Sequence, residues 1–152
     1  MLNKIRKFTT LSREEKKLFL EAYIILGMMR AAILTISFKR LTRALEHHTQ
    51  VQALETLTKT EQERAIIIGK SIIRAAAYTP WESACLVQSL TAQKMLQKRG
   101  ISGVFYLGAA KDEKEKNKMK AHAWSQCGDV IVTGEVGSED FTVLSVFEWK
   151  KE

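Results

Sequence analysis

The stretch TPWESACLVQSLTAQKMLQKRGISGVFYLG, residues 79–108, decides the fold because its hydrophobic spacing changes in the middle. Apolar residues recur at the spacing of a helix as far as Leu96, and Gly100 is a typical residue just past a helix end. The following run, residues 101–109, is rich in residues that favour strands. The stretch therefore predicts a helix followed directly by a strand.

Two starts fit this helix. Thr79 and the glutamate three residues later form a capping box, and Pro80 suits the first helical position, where no N–H donor is needed. Ser83 is a second candidate cap, and it would place Cys85 in the first turn. The pattern predicts a helix from residue 80 or 84 to residue 99.

The residues before this stretch favour helices. Ser12 and Glu15 form a capping box that opens a helix running into the mid-thirties. Residues 18–38 are nearly all apolar and long enough to cross a membrane, but Glu21 and Arg30 interrupt them. We therefore expect a helix buried on several sides, or one meeting a partner protein, rather than a membrane span.

Two more elements are expected in this half. A short helix covers residues 40–47, and a polar connection covers residues 48–58. Thr60 and Glu63 form the capping box of the next helix.

The chain continues beyond the first strand as further strands. Residues 111–120 hold eight charges in ten positions and predict a solvated loop. Strands are expected over residues 121–126 and 130–133, around a tight turn, and over residues 141–149. Helices followed by an antiparallel sheet define the α+β class, with the helix that carries Cys85 packed on a small sheet.

Length and composition point to one folded unit. The 152 residues suit a single domain over residues 1–152, helical over 1–78 and with its core over 79–152. Apolar residues make up 45% and charged residues 27%, which excludes a disordered, collagen-like or disulfide-scaffold protein. Two cysteines and the lack of a secretory signal predict a cytoplasmic protein.

The net charge of +7 is concentrated towards the N-terminus. Residues 1–50 carry +6, residues 51–100 carry +3 and residues 101–152 carry −2. A basic surface suits a nucleic acid, a membrane surface or an acidic peptide. Since no RNA-binding signature, zinc-finger spacing or phosphate-binding loop is present, we expect no nucleic acid, and peripheral membrane contact stays open.

A cysteine, a histidine and a carboxylate are the candidates for chemistry. If Gly128 and Asp129 are the central residues of a hairpin, His122 lies opposite Glu135, which could orient its ring. A one-residue slip would replace Glu135 with Gly134 and lose the pairing. Asp129, at the turn tip, lies far from His122 on this register.

Cys85 stands near a predicted helix start, where the helix dipole and free N–H groups favour the reactive thiolate. The order cysteine, histidine, carboxylate is that of papain-like nucleophile, base and orienting residue.

Structural interpretations remain beside this one. Cys85 could fill a core, Trp81 and Trp124 are more often core than substrate platform, and Cys127 beside a turn is expected to be exposed. A zinc site from Cys85, His122 and Cys127 lacks paired ligand spacing, and a reducing compartment disfavours a disulfide between the cysteines.

Residues 79–108 and KAHAWSQCGDVIVTGE, residues 120–135, resemble the core of the transglutaminase-like superfamily. Within it the chain resembles the leader peptidases of lasso-peptide biosynthesis, as do residues 8–30, 37–41 and 141–147. The specific part of the resemblance is the combination of Trp81, Cys85, Leu86, Gln88, Ser89 and His122-Ala123-Trp124.

The resemblance implies a cysteine peptidase that removes the leader from a ribosomally made precursor through an acyl-enzyme. It implies Cys85 as nucleophile and His122 as base, with Glu135 near the place of the family's acid and Asp129 as second choice. The residues expected to line the substrate site are Trp81, Gln88 and Trp124.

The resemblance also implies partners. They are a lasso precursor peptide, a separate leader-binding protein and a separate ATP-dependent lasso cyclase, and no metal or cofactor is needed. Two alternatives remain: an acyltransferase of the same fold, and a non-catalytic scaffold that binds peptide or membrane through its basic helical half.

Overall fold

The computed structural model describes residues 9–115 and 117–150 and shows an α+β fold. Its helices are α1 (Arg13–Thr35), α2 (Phe38–Leu41), α3 (Lys59–Ala76) and α4 (Cys85–Lys98), with a short 3-10 turn at Ser138–Asp140. Its strands are β1 (Glu46–His48), β2 (Gly103–Lys111), β3 (Met119–Cys127), β4 (Val130–Thr133) and β5 (Thr142–Trp149). They form one antiparallel sheet in the order β1-β5-β2-β3-β4.

Helix α1 begins as predicted, with the capping box of Ser12 and Glu15 in place. Its packing differs from the prediction of a helix buried on several sides, while the alternative of a helix that meets a partner protein stays a prediction. One side is buried, while Leu20, Ile24 and Met28, spaced one turn apart, are each more than half exposed. The helix is long and apolar enough to cross a membrane by length and composition alone. The buried residues of α1 are Leu18, Ala22, Leu26 and Met29.

The two charges that interrupt α1 bind other parts of the chain. The Glu21 carboxylate lies 2.6 Å from the Arg99 guanidinium at the end of α4, and this hydrogen bond holds the pKa of Glu21 below its usual range. Arg30 lies 3.7 Å from Glu82 in the loop before α4. Both ion pairs join α1 to the segment that carries Cys85.

Two predicted elements of the N-terminal half have other bounds. The capping box of α3 is Thr58 with Glu61, two residues before the predicted pair, because the same sequence pattern occurs twice in succession. The predicted helix over residues 40–47 is wrong: Ser37 caps the earlier α2, and the chain then pairs with β5. Strand β1, formed by this pairing, was not predicted, since a three-residue edge strand has no pattern of its own.

The start of α4 decides between the two predicted caps. The helix begins at Cys85, so the start at residue 80 and the capping box of Thr79 are wrong. The Thr79 hydroxyl oxygen lies 3.1 Å from the carbonyl oxygens of both Ala76 and Trp81, and its one proton can be donated to either of them. Ala84 occupies the cap position, one residue after the predicted Ser83.

The helices cover one face of the sheet. Cys127 and Phe105 belong to the core between the helices and the sheet, whereas Tyr106 and Trp124 belong to a smaller cluster on the opposite face. Gly69 on α3 lies against Val132 on β4 so closely that a Cβ there would overlap the Val132 carbonyl oxygen. The turn between β3 and β4 is the predicted one, and Gly128 takes φ 52° there.

Candidate active site

Cys85 is the first residue of α4 and is half-buried. The cap residue Ala84 supplies no side-chain acceptor, so the first-turn N–H groups have no partner from the cap. Unpaired N–H groups and the positive end of the helix dipole stabilise an anion at this end. The position can therefore bind the oxyanion that forms when a nucleophile attacks a carbonyl.

His122 lies on β3, directly opposite Gly108 of β2. Its ring stacks between Trp124 and Phe141, with centroids 5.7 Å and 5.1 Å away. The ring nitrogen Nε2 is 2.8 Å from the carbonyl oxygen of Gly134. Because a carbonyl only accepts, Nε2 is the nitrogen that carries the proton in a neutral ring, and Nδ1 is the basic one.

The His122 ring and α4 lie on opposite faces of the sheet, since His122 shares the face of Trp124. Within residues 9–115 and 117–150 the Cys85 thiol makes no hydrogen bond to the His122 ring. Catalytic hydrogen bonds in a free enzyme are often unformed and tighten once the substrate is bound. The two roles stay predictions from the sequence.

Glu135 does not pair with His122 in the sheet. The predicted hairpin register holds for Cys127 with Val130 and then shifts by one residue. Strand β4 ends at Thr133, so the predicted position of Glu135 opposite His122 is wrong. Its exposed carboxylate makes no hydrogen bond or ion pair within the described residues, and whether it acts as the acid stays a prediction.

Asp129, the alternative acid, is exposed at the tip of the β3–β4 turn. His122 lies in the first half of β3 and Asp129 follows its last residue, Cys127, so the strand separates the two. The sequence expectation that Asp129 is far from His122 agrees with this placement.

The three residues predicted to line a substrate site have other contacts. Trp81 packs edge-on against Tyr23 of α1, with ring centroids 5.2 Å apart. The Gln88 amide donates to the carbonyl of Ser83 at 2.9 Å, which braces the turn before Cys85. Trp124 is buried on the outer sheet face. A role for them in binding substrate stays a prediction.

Cys127 is buried, so the expectation that it is exposed is wrong. As the last residue of β3 it lies in the core between the helices and the sheet. Burial raises the pKa of its thiol to about 12, with a smaller contribution from the Glu61 carboxylate. Its side chain faces the helices whereas the His122 ring faces away from them, so the two cannot share one zinc ion. Both cysteines are free thiols.

Ser89 is a residue that helical spacing did not single out. It lies one turn after Cys85 on the same side of α4, and its hydroxyl is fully buried without a hydrogen-bond partner within the described residues. The sequence resemblance was the only signal for it, because a serine inside an apolar helical pattern has no local signature.

Side chains close enough to hold a metal ion lie elsewhere. In the described part of the chain they are Glu46, His48 and Glu148, at the pairing of β1 with β5. His48 lies 3.2 Å from Glu148, and Lys150 lies 3.1 Å from Glu46. These contacts already give both carboxylates a partner, so we interpret the cluster as a clasp for the edge strand β1.

Comparison with known families adds one match. The model of a family described as the transglutaminase-like superfamily matches residues 31–146, which include Cys85 and His122. No curated protein and no solved structure matches the chain.

Proposed function

The chain belongs to the transglutaminase-like superfamily, and we propose that it is a cysteine peptidase that removes the leader from a lasso-peptide precursor. The observation that carries the enzymatic part is the position of Cys85 at the first residue of a helix without a side-chain cap. The substrate class is supported by the sequence resemblance of residues 79–108 and 120–135 to lasso leader peptidases.

The proposed reaction has two steps. The Cys85 thiolate attacks the scissile carbonyl, the first-turn N–H groups stabilise the oxyanion, and protonated His122 gives its proton to the leaving amine. A water molecule, deprotonated by the same ring, then attacks the thioester and releases the leader as a free acid. Product release regenerates the thiolate and the protonated ring.

The group that orients His122 is proposed to be the Gly134 carbonyl. Its 2.8 Å contact with Nε2 fixes the tautomer in which Nδ1 is the base, which is the task of the third residue in a triad. The mechanism requires that peptide binding brings Cys85 and Nδ1 of His122 together while the Gly134 contact is kept. Glu135, the next residue, and Asp129 are the competing acids.

The partners are proposed on the same grounds as the substrate: a precursor peptide, a separate leader-binding protein and an ATP-dependent cyclase in the cytoplasm. The exposed stripe of Leu20, Ile24 and Met28 on α1 supports a contact with the leader-binding protein. Charges at Leu20 and Ile24 (L20D/I24D) should weaken co-purification with that partner. The 94% exposed Val136, changed to Asp, serves as control, and equal co-purification of both variants would contradict the contact.

An acyltransferase is the second candidate, since the superfamily includes such enzymes and an amine can resolve the same acyl-enzyme. Mass spectrometry of the cut end separates the two, because hydrolysis leaves a free acid and transfer leaves an amide. A non-catalytic scaffold would show neither product.

The deciding experiment uses a precursor from the same gene neighbourhood together with its leader-binding protein. Wild-type protein and Cys85→Ala are incubated in parallel, and products are identified by mass. We expect a leader fragment with wild type only. Intact precursor with the wild type and every partner present would reject the peptidase.

A further inference from the structure

An apolar groove lies beside Cys85. It has a volume of about 270 Å³, close to the lower limit of pockets for small ligands. Every lining residue is apolar, and we call it the apolar groove; it is formed by Ile33, Ile36, Phe38, Leu41, Leu86 and Leu107.

One of its walls adjoins the candidate nucleophile. Leu86 directly follows Cys85, so their Cα atoms are about 3.8 Å apart. Another wall, Leu107, precedes Gly108, the residue paired with His122 across β2 and β3, and its side chain faces the helices whereas the His122 ring lies on the other face of the sheet. The remaining walls come from the end of α1 and from α2. The apolar groove therefore lies between the nucleophile end of α4 and the strand next to His122.

A peptide whose scissile carbonyl lies at Cys85 is close to this groove, because Leu86 forms one of the walls. An extended chain advances about 3.3 Å per residue, so the side chains nearest to a carbonyl at Cys85 come within reach of Leu86. The acyl half of the substrate stays bonded to Cys85 in the acyl-enzyme. Because the groove includes Leu86, the residue next to Cys85, it is near that half in both steps. Six apolar walls offer no partner to a charged or polar side chain, whose burial there would be unfavourable.

We propose that the apolar groove binds an apolar side chain of the substrate, one or two residues from the scissile bond on its acyl side. This rests on the proposed function, because it requires Cys85 to attack a peptide. The groove makes Ile36, Leu86 and Leu107 specificity-determining residues.

The test measures alkylation of Cys85 by three probes: acetyl-Leu-Gly, acetyl-Gly-Leu and acetyl-Gly-Gly chloromethyl ketones. In each reaction the thiolate sulfur forms a thioether bond to the methylene carbon, and chloride leaves. Intact mass gives the rate, and iodoacetamide, which has no side chain to place, corrects for the reactivity of the thiol itself. We expect one leucine probe to react about ten times faster than the glycine probe or more.

Variants locate the preference. Ile36 is 41% exposed, so Ile36→Ser should fold and should lower the preference for leucine, and Leu86→Ala should do the same. Ile73→Ser, on the exposed side of α3 and outside the groove, should keep it. Melting temperatures establish that each variant is folded.

The outcomes separate the two proposals. Equal rates for all three ketones, with Cys85 labelled, would overturn the groove and leave the peptidase standing. A leucine preference unchanged in folded Ile36→Ser and Leu86→Ala would also overturn the groove. A Cys85 that reacts with neither the ketones nor iodoacetamide would overturn both.

Discussion

The two cysteines of this chain occupy contrasting regions. Cys85 is half-buried at the start of α4, where the cap residue offers no side-chain acceptor to the first-turn N–H groups. Cys127 is fully buried between the helices and the sheet, where burial raises the pKa of its thiol to about 12. The same side chain thus lies at a partly exposed helix start in one region and fills the core in the other, and the reactivity of a thiol follows its environment rather than its residue type.

The largest expected effect is on cleavage. Cys85→Ala should lower the rate constant for leader removal by about 10⁴-fold or more, because it removes the proposed nucleophile. Cys127→Ala should keep the rate within about threefold, since its thiol is protonated and enclosed. Product formation measured by mass under single-turnover conditions checks both, and a large loss in Cys127→Ala while the fold survives would erase the contrast.

The surroundings of His122, the proposed base, come next. His122→Ala should reduce the rate by about 10³-fold, as expected for a general base. Glu135→Gln should reduce it by less than about tenfold, because the Gly134 carbonyl already holds the His122 ring. Asp129→Asn is the matched control at the turn tip. A loss of about 100-fold in Glu135→Gln alone would show that Glu135 is the acid of a triad.

The close packing of α3 on β4 can be tested at Gly69. Gly69→Ala places a methyl group against the Val132 carbonyl and should lower the free energy of unfolding by about 1–3 kcal/mol. In a chain of this length the melting temperature should fall by about 2–4 °C per kcal/mol. At Gly100, φ is 74° and an added Cβ would meet no atom within 4 Å. The loss of unfolding free energy in Gly100→Ala therefore measures backbone strain alone. Calorimetry on both variants distinguishes overlap from strain.

The smallest effect is the alkaline dependence of stability. The pKa of Cys127 is raised in the folded protein above the ordinary value of 9.0, so the folded state keeps its proton while the unfolded state loses it. The stability is therefore complete below about pH 9 and falls as the pH rises, by about 1 kcal/mol at pH 10. Denaturant unfolding at pH 8 and pH 10 should show this loss in the wild type and a smaller one in Cys127→Ala. Tyr106, whose pKa burial also raises, contributes equally to both proteins.

The burial of Cys127 is a feature that the sequence did not predict. A cysteine beside a turn was expected to be exposed, but three helices cover the sheet face that it occupies. The same limit applies to Glu135: the alternation of residues predicted a pairing with His122, and the shift between Ser125 and Gln126 removed it. A bulge depends on contacts across strands, and single residues do not encode it.

Local patterns determined much of the fold. The capping box of Ser12 and Glu15, the tight turn at Gly128 and the bounds of β4 follow from interactions between residues close in the chain. The α+β class and the order of helices before strands follow from the same patterns. Residue types near Cys85 and His122 also sufficed to indicate the superfamily that the family match shows.

Tertiary structure alone decided what depends on distant residues. It set the start of α4 at Cys85, where no side chain caps the helix. It placed the His122 ring against the Gly134 carbonyl, and it formed the apolar groove from two helices, a strand and Leu86. Hydrophobic burial is non-directional, so the apolar pattern of a sequence shows which side chains are buried. The pattern does not show which of these side chains contact one another, because those contacts depend on how the helices and strands pack together.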